Sequence, residues 1–173
     1  MAAADPHPIN KKTIFLIRHG ESEDNVRATQ FPDRPEQDFV NTKLTPLGRE
    51  QAAAIKGPCQ LLMISPLRRT LETYAFSGLT CAHLEVSYLC REWLGWGPSQ
   101  YLEGEDQSLK ESWSEFQLRM DRLYTALSMR VEDHITIVCH NGVIGQLSKK
   151  FVPGSNGEGF YNGQVKSFDV VFQ

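Results

Sequence analysis

Apolar residues gather along this chain in short runs, each cut off by a glycine or a polar turn. Residues 13–17 (Thr-Ile-Phe-Leu-Ile), 60–64 (Gln-Leu-Leu-Met-Ile) and 134–138 (His-Ile-Thr-Ile-Val) are rich in β-branched and apolar side chains, and they read as buried strands. A short strand is expected at 83–86. A last one is expected at 165–172, where Val165, Phe168, Val170 and Phe172 largely alternate with polar positions. Helical patterns fill the gaps. Thr45 and Pro46 suit an N-cap and a first helical position, and Gly57-Pro58 reads as that helix's end. Ser65 and Pro66 give the same signal for a helix over 66–76. Trp113, Phe116, Met120, Leu123, Tyr124 and Leu127 recur at helical spacing within 109–131, a stripe that means core packing rather than a cofactor box. A further helix begins at Val143. Between the first strand and helix lies a polar, proline-bearing loop over 23–43. Alternating strands and helices predict a three-layer α/β/α sandwich with a mostly parallel central sheet.

Length and composition narrow the class. At 173 residues the chain holds one domain, 1–173, with a full core and no room for a second. Residues 1–12 read as a short flexible arm without a secretory pattern. The formal net charge of −3 argues against nucleic acid as a partner. No apolar run reaches membrane-spanning length. Cys59, Cys81, Cys90 and Cys139 form no C-x-x-C pair and no zinc spacing, so they are expected to be reduced thiols of a cytoplasmic protein. No acidic or His-rich cluster calls for a metal, and no organic cofactor is expected.

Candidate chemistry sits where the strands end. Arg18-His19-Gly20-Glu21-Ser22 follows the first run directly, at the C-terminal sheet edge where open α/β sheets bind ligands. An arginine there can grip a dianion, and a histidine beside it can act as nucleophile or proton carrier. Cys139-His140-Asn141-Gly142 repeats the layout of strand, histidine, glycine turn and helix. A histidine so placed is otherwise a buried residue with local hydrogen bonds. Arg68 and Arg69 fall in the first turns of the second helical pattern, where the helix dipole disfavours a cation unless an anion binds there. The plainer alternative is two solvated arginines. Cys139 beside His140 suggests a cysteine phosphatase, but no cradling arginine follows within Val143-Ile144-Gly145-Gln146.

Taken in order, Arg18-His19-Gly20-Glu21-Ser22 with Asn25, Leu44-Thr45-Pro46-Leu47-Gly48, Ser65-Pro66-Leu67-x-Arg69-x-x-x-Thr73, the Glu92 stretch and His140-x-Gly142 resemble the histidine phosphatase superfamily, also called phosphoglycerate mutase-like. The resemblance runs from about Thr13 to Leu147 and implies the same fold. It implies phosphoryl transfer through a phosphohistidine, without metal or cofactor. His19 would be the nucleophile, with Arg18, Arg69 and His140 as the cationic pocket and Asn25 as a neutral donor. The motif selects Arg69 over Arg68. The family's acid is a glutamate between the arginine helix and the second histidine, here Glu92, with Glu103 and Glu105 as rivals. The backbone N–H of Asn141 stands where it can reach a phosphate. Glu21 is expected to buttress an arginine. Trp93, Trp96 and Tyr101 suggest an apolar wall on the leaving-group side, unless they are core.

Mutases of this family use extra arginines just after the glutamate and in an inserted segment. No arginine occurs from Trp93 to Leu118 here. The expectation is a phosphatase acting on a small phosphorylated substrate or a phosphoprotein, with a phosphoglycerate mutase or a non-catalytic phosphate-binding scaffold as alternatives.

Overall fold

The computed structural model describes residues 10–33, 41–93, 111–157 and 159–172. Five strands, β1 (Asn10–Arg18), β2 (Lys56–Ile64), β3 (Gly78–Val86), β4 (His134–Cys139) and β5 (Val165–Phe172), form one sheet in the order β3-β2-β4-β1-β5. Only β5 runs antiparallel, against β1. The helices are α1 (Arg27–Gln30), α2 (Pro46–Ala54), α3 (Arg68–Phe76), α4 (Trp113–Ser128) and α5 (Asn141–Phe151).

Strand alternation splits the core in two. Ile14, Leu16, Leu61, Met63, Ile135 and Ile137 meet Phe116, Met120, Leu123 and Leu127 of α4 and Val143, Ile144 and Leu147 of α5 on one face. Ile17, Leu62, Ile64 and Val138 meet Ile55, which ends α2, and Tyr74 of α3 on the other. This is the three-layer α/β/α arrangement expected from the sequence. The neighbours β1 and β4 thus hand on to helices on opposite faces, α2 and α5. Their C-terminal ends flank a switch-point crevice, which is where such sheets bind ligands.

Several boundaries differ from expectation. Asn10, Lys11 and Lys12 belong to β1 rather than to a flexible arm, and the Lys12 ammonium donates to the carbonyls of Arg130 and Glu132 after α4. The helix begun by Thr45 and Pro46 stops at Ala54, and Gly57 (φ 136°) and Pro58 lie inside β2. At Pro58 the strand has only β3 beside it, because β4 pairs from Leu61 onward. A missing N–H is tolerated on such a one-sided stretch. Strand β3 starts at Gly78, earlier than the expected 83. Helix α4 starts at Trp113, where Ser112 and Glu115 close a capping box, and ends at Ser128. The N-cap of α3 is Leu67, not Ser65, and the Ser65 hydroxyl accepts from the Leu67 N–H at 3.3 Å.

The expectation of four reduced cysteines does not hold. Register places Cys59 directly beside Cys81 on β2 and β3, their Cα atoms 4.6 Å apart, and the two are disulfide-bonded. Spacing in sequence carries no register, so the pair was hidden. Cys90 and Cys139 are free and buried. No described helix is long and apolar enough to cross a membrane.

Candidate active site

The crevice is built from strand ends. Arg18 pairs with Cys139 in the β1–β4 register, and the His19 N–H donates to the Cys139 carbonyl at 3.1 Å. His19 and His140 therefore leave adjacent strands side by side, with ring centroids 5.2 Å apart. Both are buried, 3% and 0% exposed.

Each imidazole has a defined orientation. His19 Nδ1 lies 2.7 Å from the Gly20 carbonyl, which can only accept, so Nδ1 carries the proton and Nε2 keeps its lone pair. Burial, with Arg69 and Arg18 nearby, pushes the His19 pKa down to about 3. The Arg69 Nε–H donates to His140 Nδ1 at 3.3 Å. That nitrogen is therefore bare, and Nε2–H donates to Ser65 Oγ at 2.7 Å. Burial first, then Arg69, drives His140 well below its ordinary value. His140 is thus neutral, which corrects the expectation of a third cation: the positive charge of this pocket comes from Arg18 and Arg69.

Arg69 is the second residue of α3 and only 4% exposed. Burial lowers its pKa, while Glu92 and Asp24 oppose the shift. Arg68 faces outward and pairs with Glu72 at 2.7 Å. Glu72 also accepts from the Leu44 N–H at 2.8 Å. Arg18 donates to the Phe160 carbonyl at 2.5 Å, and its buried Nε has no partner among the described residues. A buried guanidinium nitrogen left open is costly, and an anion would satisfy it.

Glu92 completes the group. Its Oε1 accepts from the Trp93 N–H at 3.0 Å and lies only 2.5 Å from where a Cβ on Gly142 would sit. Desolvation pushes its pKa up against the pull of that N–H and of Arg69. Arg91 does not pair with it but turns to Glu111 at 3.6 Å. Arg119 of α4 also grips Glu111, and its Nη1 donates to the carbonyls of Leu89 (2.8 Å) and Arg91 (2.7 Å), fixing the backbone just before Glu92. Trp93 packs against Trp113 and Phe116 as part of the core rather than as a pocket wall. Trp96, Tyr101, Glu103 and Glu105 lie outside the described residues.

Asn25 accepts through Oδ1 from the Ser22 N–H and hydroxyl and from Asn162 Nδ2, which leaves its own Nδ2 as a donor. Asn162 also donates to the His19 carbonyl at 3.2 Å. Asn141 opens α5, and its Oδ1 accepts from the Phe160 N–H at 2.9 Å. Glu21 accepts from the Thr45 hydroxyl at 2.8 Å, so it supports the α2 cap rather than an arginine. Ser65 and Asn162 were not singled out from sequence. Ser65 was visible as part of the Ser-Pro-Leu motif, whereas Asn162 lies in a turn with no signal of its own. Among the described residues, no three His, Cys, Asp or Glu side chains stand together as metal ligands.

The sequence model of the histidine phosphatase superfamily (branch 1) matches residues 14–93. A search of curated proteins gives no match. Among solved structures, the alpha-ribazole phosphatase from Shigella flexneri is similar with a TM-score of 0.67 and 21% identity, covering 92% of this chain and 94% of that one. A mycobacterial glucosyl-3-phosphoglycerate phosphatase complexed with VO3 gives a TM-score of 0.58 and 23% identity over 90% of each chain. The Entamoeba histolytica phosphoserine phosphatase in complex with 3-phosphoglyceric acid gives 0.58 and 20%, covering 94% and 95%. At such identities these likenesses speak for the fold. The match over residues 14–93 is to the histidine phosphatase superfamily, branch 1, and across its length the chain shares the fold of these phosphatases.

Proposed function

We propose that this chain is a metal-independent phosphatase that hydrolyses a phosphate monoester, carried by a small molecule or a phosphoprotein, through a phosphohistidine at His19. The observation that carries this is the orientation of His19: Nδ1 is tied to the Gly20 carbonyl, so an unprotonated Nε2 stands beside His140 and Arg69. Arg18 and Arg69 hold the phosphoryl oxygens, His140 donates from Nε2 after leaving Ser65, and Asn25 Nδ2 and the Asn141 N–H add neutral donors. The Nε2 lone pair attacks phosphorus, and the bond to the ester oxygen breaks. Glu92, whose pKa desolvation raises, gives its proton to the departing oxygen. The resulting carboxylate takes a proton from water. That water's oxygen attacks phosphorus, the P–N bond breaks, and inorganic phosphate and neutral His19 are restored.

Rapid quench with labelled substrate should trap an acid-labile, base-stable phosphoenzyme. His19→Ala should lose both the label and turnover, and EDTA should leave wild-type turnover intact. Turnover that persists in His19→Ala, or that EDTA abolishes and magnesium restores, would overturn this mechanism.

A further inference from the structure

Beside Glu92 the surface opens into a groove of about 230 Å3, lined by Gly142, Gly145 and Lys149 of α5, by Trp113, and by Asn156 and Gly157. The groove reaches Gly142, the residue against which Glu92 Oε1 rests. Trp113, 42% exposed, packs edge-on against Trp93, the residue after Glu92, at 4.8 Å. At the other end the chain presses onto α5. Gly157 has φ 81°, and a Cβ there would lie 2.6 Å from the Gly145 carbonyl and 2.8 Å from Lys149 Cε. The aliphatic stem of Lys149 is therefore packed in place. Its ammonium has no hydrogen bond or ion pair among the described residues, whereas its neighbour Lys150 pairs with Asp121.

We propose that this groove holds the leaving group of the ester and that Lys149 binds a carboxylate at its far end. The inference rests on the phosphatase reading with Glu92 as the proton donor, because the donor must face the leaving oxygen and the groove reaches Gly142, the residue against which the donor rests. The Trp113 ring supplies a flat apolar side of the groove. Gly142 and Lys149 are seven residues apart on one helix, about 10 Å at 1.5 Å per residue, and the lysine leans back toward the N-terminus. The substrate class is thus a monoester of an alcohol or phenol with a carboxylate within about 10 Å of the ester oxygen. A cation near the end of α5 also favours the helix dipole. That role would change melting temperature and not substrate choice.

Two aryl phosphates with identical ring and ester chemistry separate these roles, one bearing a para propanoate arm and one the matching propanamide. Wild type should prefer the propanoate by about fivefold in kcat/KM, carried by KM, with the preference shrinking as salt is added. Lys149→Met keeps the packed stem and should bring the ratio to about one. Lys149→Glu should invert it. Equal use of both esters by wild type, or a preference that survives in Lys149→Met, would overturn the subsite. Failure to turn over either ester would overturn the phosphatase reading first, and the subsite with it.

Discussion

A carboxyl that must deliver a proton at neutral pH has to be held back from ionising, and Glu92 is placed for that. Desolvation dominates over the Trp93 N–H and Arg69, so its pKa is raised. General acid catalysis contributes roughly a hundred- to ten-thousand-fold. Glu92→Gln should therefore slow first-turnover phosphorylation by an alkyl phosphate within that range. Nitrophenyl phosphate, whose leaving group needs little protonation, should suffer much less. Equal losses with both substrates would reduce Glu92 to a shaping role. The residues around it were legible in unequal degree. His19 and His140 show in sequence because each ends an apolar run, and a strand end is a local property. The charge state of His140 did not show. It follows from Arg69 donating to Nδ1, a contact between α3 and the end of β4 that spans 71 positions. The use of the Ser65 hydroxyl was hidden for the same reason: only the register Ile64↔Val138 brings Ser65 beside His140.

Between elements, the tightest approach is that of the Gly20 turn to the first turns of α2. A Cβ on Gly20 would lie 2.3 Å from the Gly48 carbonyl, and one on Gly48 would lie 2.0 Å from the Glu21 carbonyl. The two glycines need each other because backbone meets backbone. The Thr45 hydroxyl, which caps α2 at the Gly48 N–H, donates to Glu21 and fastens the same contact. Glycine to alanine within a helix ordinarily stabilises by about 1 kcal/mol. Here Gly48→Ala is expected to destabilise by about 1–3 kcal/mol, since neither backbone can yield without shifting β1's end. Urea midpoints measure the sign directly, and a stabilised variant would show that α2 moves freely. The start of α2 was legible from Thr45-Pro46, since a cap is a local hydrogen bond. Its end was not, since Gly57 and Pro58 are breakers by composition but were absorbed where β2 has a single neighbour. Strand β3 was half visible because its exposed edge gives no apolar run over its first residues.

At the scale of the molecule, the fold gathers two neutral histidines, two guanidinium groups and a raised carboxyl at one switch point, and this ties stability to pH. In the unfolded chain both histidines titrate near 6.5. In the folded chain His19 stays neutral down to about 3, and His140 is driven well below 6.5. Below pH 6.5 the unfolded state therefore binds more protons, and stability falls as pH falls. For His19 the loss continues down to about pH 3. At 1.36 kcal/mol per unit over 1.5 units, His19 alone should remove about 2 kcal/mol between pH 7 and pH 5. Glu92 acts with the opposite sign. Its raised pKa lets the folded state hold a proton that the unfolded state has released, so above pH 4.5 it favours folding as pH drops. One carboxyl against two histidines leaves a net acid destabilisation. Urea unfolding at pH 7 and pH 5 should show a lower midpoint at pH 5. Glu92→Gln should steepen the dependence by removing the opposing group, and His19→Gln should flatten it. Midpoints that do not move between pH 7 and pH 5, in wild type and in Glu92→Gln alike, would mean that the histidines take up protons in the folded state. His19 would then be a cation at mildly acidic pH, and its Nε2 could not attack phosphorus there.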